Sequence, residues 1–378
     1  MPSSRTLRVC HFCTTTVDAP YFRNMASGLS RAGLEVYCAN LNRAPEPEWL
    51  RALPGASYIS LDTNSRRNYP GATLRLARFL RRERVDVLQT HLFDAGLVGA
   101  VAARFARTPF LIVTRHHTDQ VARVGSSIHV KLDRWMAGEA DGVVAVSNAV
   151  RDYLVSKDGV VNTPIEVIPL GFDFDSLQAS EADGRRVRQE LGLGDAFVIG
   201  CVAQLYKTKG QSYLVTALAE LATEIPGVKL LLVGGGERDA LERQARKLGV
   251  DDRLVFAGHR NDVPACMRAM DVVVHPSLSE AFSQVVIEAM ASGTPLVSTD
   301  VGAAREVIVD GETALLMPPA DVGAIVDAVR RLHADDGLRR RLAASARESV
   351  STRFTVERMV RRQLDCYRRW LGVERSPP

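Results

Sequence analysis

The chain has 378 residues, of which 46% are hydrophobic and 24% charged, and its net charge at neutral pH is +4. This length exceeds what one hydrophobic core usually holds, so we expect two domains. No apolar run reaches the roughly 18 to 20 residues of a membrane-spanning helix, and the start MPSSRTLRVC lacks the apolar segment of a signal peptide. Composition therefore argues against an integral membrane or secreted protein. We expect a cytoplasmic protein without a nucleic-acid partner.

The first half of the sequence alternates strand and helix patterns. Strands are predicted at residues 8–13, 35–39, 85–89, 110–114 and 142–146, and helices at residues 21–32, 72–83 and 97–106. Such alternation predicts a doubly wound parallel sheet, with ligands at the carboxyl ends of the strands. Cys10, His11 and Cys13 resemble half of a zinc site. Because no second pair follows at a suitable spacing, and residues 7–12 also fit a strand, we predict no metal site.

Residues 171–194 are rich in Asp, Ser and Gly, and they interrupt this alternation as a predicted linker. Strands then resume at residues 197–202, 229–233, 254–256, 272–274 and 296–298. We therefore predict two Rossmann-like domains, at residues 1–174 and 175–352. A last helix near residues 355–371 has apolar residues at helical spacing, and we treat residues 353–378 as a separate C-terminal element.

The segment 271–293, reading DVVVHPSLSEAFSQVVIEAMASG, carries the most functional information. Its buried strand is followed by a loop and a helix, with Ser283 as the predicted N-cap and Gly293 as the terminator. A helix N-terminus after a strand suits phosphate, because its backbone N–H groups and dipole attract anions. Glu280 and Glu288 flank this anion site. A nucleotide sugar explains both features, because its diphosphate needs donors and its hydroxyls need acceptors.

The stretch EAFSQVVIEAMASGTPLV closely resembles the signature of the family-4 glycosyltransferases, which are retaining enzymes with two glutamates separated by seven residues. The resemblance extends from about residue 8 to residue 370. It implies the α/β GT-B fold, with two Rossmann-like doubly wound domains facing across a cleft and a last helix that crosses back to the first domain. It also implies that Glu280 contacts the hexose hydroxyls of the donor and Glu288 its ribose hydroxyls. Backbone amides would come from Phe282, Ser283, Gln284 and Val285.

The stretch AQLYKTKG, residues 203–210, matches a family loop that usually reads GRLxxxKG. The resemblance makes Lys209 the cation on the donor diphosphate, since an ammonium group suits phosphate; the alternative is an ordinary surface lysine. Gln204 stands where the family has an arginine, so one fixed positive charge is missing. Lys207 is the closest cation in sequence that could replace it.

Two further stretches of the second half invite a nucleotide-binding interpretation. Residues 258–263 correspond to the family loop that holds the nucleobase, and Arg260 is predicted either to stack on the base or to be solvated. Residues 232–237, reading LVGGGE, resemble a dinucleotide fingerprint. Because Asp239 replaces the third glycine of that pattern, we predict a tight turn between a strand and a helix instead.

In the first half, residues 113–117 read VTRHH and follow a strand end. His116 matches a family histidine and, by the resemblance, lies near the transferred sugar; His117 is the fallback. His91, after another strand, is a weaker candidate on the acceptor side. The first loop, residues 14–21, lacks the Gly-Gly pair of many family members, so we assign it no donor contact.

These observations predict a retaining glycosyltransferase that moves a sugar from a UDP- or GDP-linked donor to a hydroxyl acceptor, such as a cell-envelope glycan or a lipid-linked molecule. The predicted catalytic residues are His116, Glu280 and Lys209. Lys209 and the helix N-terminus would stabilise the departing diphosphate, so we expect neither a metal nor a cofactor other than the donor. Two alternatives remain: a nucleotide-sugar epimerase of the same plan and a non-catalytic nucleotide-binding module.

The stretch 66–84 holds much of the first half's positive charge, in the seven arginines Arg66, Arg67, Arg75, Arg78, Arg81, Arg82 and Arg84. Leu74, Ala77 and Leu80 occur at core spacing in the same helix. Because many family members glycosylate lipid-linked acceptors, peripheral attachment to anionic lipid is one hypothesis for this stretch. A solvated helix face is the other.

Overall fold

The computed structural model describes residues 6–15, 19–63, 65–118 and 126–372. The chain divides into two compact units. Unit 1 consists of Met1–Phe172 together with Phe354–Pro378, and unit 2 consists of Asp173–Arg353. The C-terminal segment thus belongs to unit 1.

Unit 1 is built on a seven-stranded sheet in the order β3-β2-β1-β4-β5-β6-β7, in which all neighbours are parallel. The strands are β1 Arg8–Cys13, β2 Glu35–Asn40, β3 Ser57–Ser60, β4 Val87–His91, β5 Phe110–Arg115, β6 Gly142–Ala145 and β7 Ile165–Val167. Its helices are Pro20–Arg31, Glu48–Arg51, Tyr69–Arg82, Phe93–Ala106, Ser127–Glu139, Asn148–Ser156 and Val356–Trp370. Strands β1 and β4 are almost wholly buried, as parallel strands covered by helices on both faces must be.

The last helix, Val356–Trp370, is bonded into the sheet of unit 1 through buried polar groups. The hydroxyl of Tyr367 donates to Oε1 of Gln89, and Nε2 of Gln89 donates to Oγ1 of Thr114 at 2.8 Å. All three side chains are buried, so each of these bonds satisfies a group that water cannot reach. These contacts hold the last helix within unit 1.

Unit 2 is built on a six-stranded sheet in the order β10-β9-β8-β11-β12-β13, again with all neighbours parallel. The strands are β8 Val198–Val202, β9 Lys229–Val233, β10 Leu254–Gly258, β11 Val272–His275, β12 Leu296–Thr299 and β13 Leu315–Met317. Its helices are Glu181–Glu190, Gln211–Glu224, Asp239–Leu248, Val263–Arg268, Gln284–Ser292, Ala304–Val307, Val322–Ala334 and Asp336–Arg353.

The two parallel sheets confirm the predicted fold class, but some local predictions were wrong. The predicted linker contains the helix Glu181–Glu190, which begins at a capping box between Ser180 and Asp183. Leu74 is 48% exposed and not in the core, because the helix Tyr69–Arg82 buries Leu76, Phe79 and Leu80. The sequence also failed to predict β3, β7 and β13, which are only three or four residues long.

Strand order reverses at one place in each sheet, between β1 and β4 in unit 1 and between β8 and β11 in unit 2. Chains leave these neighbouring strands toward opposite sides, which opens a crevice at their carboxyl ends. His91 ends β4, and His275 ends β11. Each unit therefore places a histidine at its own switch point.

Candidate functional site

In unit 2, the loops that follow β8 and β11 are joined across the switch point. The backbone N–H of Leu278 donates to the carbonyl of Thr208 at 2.8 Å. Gly210 has a φ of 71°, and a Cβ there would collide with the carbonyl oxygen of Pro276. Only glycine fits this close approach, which brings the turn Lys207–Lys209 against the loop that carries Glu280.

Lys209 and Glu280 form an ion pair in this corner, with Nζ of Lys209 2.6 Å from Oε1 of Glu280. The same carboxylate oxygen lies 3.3 Å from Nε2 of His275, whose ring is not aligned for a hydrogen bond. The side chains of Lys209 and Glu280 are 27% and 13% exposed. The structure thus brings together two predicted site residues that are 71 positions apart.

The Glu280 carboxyl is held in its ionised form. Burial opposes ionisation, but His275 and Lys209 outweigh it and lower the pKa of Glu280 to about 2. At neutral pH this residue is therefore a hydrogen-bond acceptor and not an acid.

Glu288 lies in the helix Gln284–Ser292 and has a different environment. It is half-buried, and its carboxyl has no hydrogen-bond or ion-pair partner within the part of the chain that the structure describes. Burial raises the pKa of Glu288, because nothing nearby compensates the charged form. A half-buried acceptor without a partner is free to bind hydroxyl groups.

The start of this helix is also without a side-chain cap. Ser283 occupies the N-cap position as predicted, but its hydroxyl makes no capping hydrogen bond. Gly293, with a φ of 73°, ends the helix as predicted. Phe282 is buried, whereas Gln284 is exposed and Val285 half-buried. The amides of the first turn therefore keep their capacity to bind an anion.

Gln204 and Lys207 are both exposed on the same loop. The backbone carbonyl of Gln204 accepts from Nε2 of Gln211 at 2.9 Å. The glycine turn after β9 packs against this loop, since a Cβ at Gly234 would collide with the carbonyl of Ala203. The glycine turn lies between β9 and the helix Asp239–Leu248, where the sequence predicts a tight turn.

Arg260 forms ion pairs. The sequence predicts that this residue either stacks on the base or is solvated. Its guanidinium binds Asp262 through two contacts of 2.8 Å and also pairs with Glu190. Side-chain hydrogen bonds from Arg260 and Arg186 lower the pKa of Asp262. The Arg260 side chain is 15% exposed, so it is not a solvated residue. Its stacking on a base stays a prediction.

In unit 1, His116 is the end of a chain of three hydrogen-bonded imidazoles. Nδ1 of His11 lies 3.1 Å from Nε2 of His91, and Nδ1 of His91 lies 3.0 Å from Nε2 of His116. His11 and His91 are fully buried, and His116 is half-buried. Burial lowers the pKa of His11 and of His116 to about 4, so both rings are neutral at neutral pH. We call these residues the histidine chain. His117, the fallback candidate, is not part of it.

The strand end before His116 is held by buried charge. Arg115 is buried and pairs with Asp133 and, at 3.5 Å, with Asp158. Burial raises the pKa of Asp133 even though Arg115 opposes the shift. Since an unpaired buried charge is costly, these contacts fix the position of β5 at its carboxyl end.

Sequence reasoning missed three groups that shape the unit 2 site. His275 was interpreted only as the end of a strand. Thr299 donates to the carbonyl of Ser277 at 2.6 Å, and Gly302, with a φ of 56°, packs directly on the backbone of Glu280. A signal for His275 was available, because a histidine at the carboxyl end of a buried parallel strand faces the ligand side of the sheet.

The remaining predictions concern the first loop, metal ions, the membrane and the cysteines. Residues 16–18 of the first loop lie outside the described residues. Among residues 6–15, 19–63, 65–118 and 126–372, no three His, Cys, Asp or Glu side chains are grouped to hold a metal ion. No described helix is both long and apolar enough to cross a bilayer. All six cysteines are buried as free thiols.

Comparison with known proteins identifies the family. Residues 19–176 match the family described as Glycosyltransferase Family 4, and residues 184–349 match Glycosyl transferases group 1. The D-inositol 3-phosphate glycosyltransferase of Xylanimonas cellulosilytica is 31% identical, over 97% of this chain and 98% of its own. The chain belongs to glycosyltransferase family 4.

Two further comparisons agree with this assignment. The 2-deoxystreptamine glucosyltransferase of Streptomyces kanamyceticus is 30% identical to this family-4 glycosyltransferase, over 78% of this chain and 80% of its own. A crystal structure of Anabaena Alr3699/HepE in complex with UDP and glucose superimposes with a TM-score of 0.84 and 23% identity, covering 97% and 100% of the two chains. The protein therefore has the GT-B fold.

Proposed function

We propose that this family-4 glycosyltransferase transfers a sugar, with retention of configuration, from a nucleoside diphosphate sugar to a hydroxyl acceptor. The observation that carries the proposal is the Lys209–Glu280 pair at the switch point of unit 2, beside a helix start without a side-chain cap. A cation and free amides suit a diphosphate, and an ionised carboxylate suits sugar hydroxyls.

The Lys209 ammonium has three N–H donors, so it can keep its bond to Glu280 while donating to a phosphate oxygen. Glu280, with its pKa lowered to about 2, accepts from the hexose hydroxyls. Glu288 accepts from the ribose hydroxyls, for which its carboxyl has no competing partner. The two glutamates would thus hold opposite ends of the donor.

Catalysis then consists of stabilising the departing diphosphate. Lys209 and the first-turn amides of the helix Gln284–Ser292 neutralise charge as the glycosidic bond ionises toward an oxocarbenium-like state. The acceptor hydroxyl attacks the same face, and a phosphate oxygen takes its proton. His116 in unit 1 is proposed to bind an oxygen of the transferred sugar. We propose no metal and no further cofactor, because Lys209 and backbone amides supply the positive charge.

The names of relatives support a hydroxyl acceptor. They include transfer to D-inositol 3-phosphate and to 2-deoxystreptamine, and a capsular polysaccharide biosynthesis glycosyltransferase of Staphylococcus aureus that is 23% identical. The structural neighbour with UDP and glucose suggests UDP-glucose as a first probe. We propose a glycan or lipid-linked acceptor.

A panel of UDP-, GDP- and ADP-sugars, screened for thermal stabilisation, tests donor binding. A ligand at 100 times its dissociation constant adds about 2.7 kcal/mol to the unfolding free energy. The Lys209→Ala and Glu280→Gln variants should lose this stabilisation, while Lys247→Ala, an exposed lysine of the same unit, should keep it. No stabilisation by any nucleotide sugar would refute the proposal.

Product analysis tests the reaction itself. With a sugar alcohol as acceptor, the anomeric configuration of the product should match that of the donor, and treatment with EDTA should leave the rate unchanged. An inverted product would refute retention. Free sugar isomers released from the donor alone would favour the epimerase alternative.

A further inference from the structure

The family resemblance assigns one histidine of unit 1, His116, to the site. The structure instead shows three hydrogen-bonded histidines, the histidine chain. Its members come from three neighbouring strands around the switch point, with His11 in β1, His91 at the end of β4 and His116 directly after β5. The distances of 3.1 and 3.0 Å are those of hydrogen bonds, and the contacts run in a line.

Three neutral imidazoles in a line allow only two arrangements of protons, because each neutral ring has one donor and one acceptor nitrogen. Either all three carry their proton on Nδ1, or all three carry it on Nε2. In the first arrangement each N–H points toward His116, and in the second each points toward His11. The arrangement therefore decides whether Nδ1 of His116 is a hydrogen-bond donor or a hydrogen-bond acceptor.

The two ends of the chain differ in a way that favours the first arrangement. Nε2 of His11 is buried and has no hydrogen-bond partner among the described residues. The second arrangement would place an N–H donor there, and buried N–H groups without partners are rare in proteins. The first arrangement leaves only a lone pair at that position. His116, at the other end, is half-buried and so reaches the surface of the unit.

We propose that His91 and His11 are positioning residues that hold His116 in the tautomer with Nδ1 protonated, so that its N–H donates to an oxygen of the transferred sugar or acceptor. The identity of that oxygen rests on the proposed function, whereas the tautomer does not. His116 is then a hydrogen-bond donor that cannot act as a base through Nδ1.

The surroundings of the chain keep it neutral and in place. The ring of Tyr21 packs edge-on against His91 and His116, and the ring of Phe22 packs against His91. Burial, followed by the neighbouring imidazoles, lowers the pKa of His91 far below its ordinary value. Tyr21 is a titratable group in ring contact with His91 and His116, and burial raises its pKa. A positive charge on any member would thus be poorly solvated.

Nuclear magnetic resonance of the full chain with isotopically labelled histidine nitrogens tests the tautomer directly and without substrate. At neutral pH, the signals of all three rings should show protonated Nδ1 and bare Nε2. Assignment comes from the loss of one signal set in each of His11→Gln, His91→Asn and His116→Gln. A His116 ring protonated on Nε2, or on both nitrogens, would overturn the proposal.

Two variants of His91 test its positioning role. The amide nitrogen of asparagine takes approximately the place of Nδ1 and can still donate to His116, whereas leucine cannot. With water as acceptor, kcat for hydrolysis of UDP-glucose or GDP-mannose should fall at least tenfold in His91→Leu with little change in KM. His91→Asn should recover most of this loss. His129→Gln, a histidine of the same unit outside the chain, should match the wild type.

The outcomes separate this inference from the proposed function. Equal loss of kcat in His91→Leu and His91→Asn, with the His116 tautomer unchanged in both, would show a purely structural role and overturn the positioning claim. Unchanged kcat in His91→Leu would do the same. A wild-type protein that binds and hydrolyses no nucleotide sugar would count against the proposed function, while the tautomer measurement would still decide the proton arrangement.

Discussion

At the scale of single residues, Glu288 combines an unfavourable environment with a binding role. A half-buried carboxylate without a partner destabilises the unliganded fold, and the raised pKa of Glu288 has the same origin. We expect Glu288→Ala to weaken binding of the nucleoside diphosphate by about 1.5 to 3 kcal/mol for each charged hydrogen bond lost, roughly 10- to 150-fold. The unliganded variant should be no less stable than the wild type. Calorimetric titration with UDP or GDP, together with thermal unfolding, measures both.

Glu357→Ala serves as the control, since this exposed acidic residue lies in unit 1. It should not change the affinity for the nucleoside diphosphate. Wild-type affinity in Glu288→Ala would remove the ribose assignment.

The absence of the family arginine at position 204 gives a second prediction for single residues. Lys209 is bound to Glu280, whereas Lys207 is exposed on the same short turn. We expect Lys207→Ala to weaken nucleoside diphosphate binding several-fold, and Gln204→Arg to restore part of it in that background. Lys209→Ala should cost more, because a charge-assisted bond is worth about 1.5 to 3 kcal/mol. Unchanged affinity in Lys207→Ala would leave Lys209 as the main side-chain cation.

A local motif marks Glu280, Glu288 and Lys209 as candidate site residues, and their roles stay predictions. The contacts between side chains could not be predicted from the sequence, because parallel strands bring together residues that are distant in sequence. His11 and His91 are 80 positions apart. Their hydrogen bond depends on β1 and β4 being neighbours, and periodicity along the chain contains no information about strand order.

At the scale of elements, the helix Tyr69–Arg82 presents a basic face with one exposed apolar residue, Leu74. Arg75 and Arg81 donate to the carbonyls of Leu61 and Phe105, so part of the charge is engaged within unit 1. Arg67 and Arg78 have no side-chain partner among the described residues. These two arginines are therefore the best places to test membrane attachment.

We predict that the protein co-sediments with phosphatidylserine-containing vesicles at low salt and is released at high salt. The double variant Arg67→Glu with Arg78→Glu should bind at least tenfold more weakly, since each basic residue near the surface contributes about 1 kcal/mol. The control, Arg246→Glu with Lys247→Glu, changes net charge equally on an exposed helix of unit 2. If the wild type does not bind the vesicles at low salt, the membrane hypothesis is wrong and the basic face is only solvated.

Prediction of whole elements failed where short-range signals were weak. Strands β3 and β7 are edge strands of three or four half-buried residues, so they lack an apolar run. The helix Glu181–Glu190 is so polar that its composition resembles a linker. Its Glu190 is nevertheless a partner of Arg260. Because the sequence did not predict this helix, it did not predict the ion pair either.

At the scale of the molecule, the histidine chain makes unit 1 sensitive to acid. The pKa of His11 and of His116 is about 4 in the folded state against 6.5 for an ordinary imidazole. Well above pH 6.5 both imidazoles are neutral in the folded and in the unfolded state, so they add no pH dependence there. As pH falls from about 6.5 to about 4, the unfolded state binds protons first, and stability is lost. The loss approaches about 3 kcal/mol for each imidazole that stays neutral.

Tryptophan fluorescence can follow this loss in unit 1 alone, because Trp49, Trp135 and Trp370 all belong to it. Urea unfolding at several pH values should show that the unfolding free energy falls with falling pH, both in the wild type and in the control His129→Gln. Removing one neutral ring, as in His11→Gln, should make the decline shallower. An unfolding free energy independent of pH between about 4 and 6.5 would contradict the neutral chain.

Unit 1 is interrupted by unit 2, since the chain leaves it at Phe172 and re-enters it at Phe354. A ribosome adds roughly 5 to 20 residues per second, so the nascent unit 1 waits about 10 to 40 s for its final helix. During that interval the amide of Gln89 has no Tyr367 hydroxyl to bind. Unit 2 is continuous and can finish folding first. The half of the protein that is synthesised first is therefore the last to be completed, and nascent chains that stop after Arg353 should need chaperones for unit 1 alone.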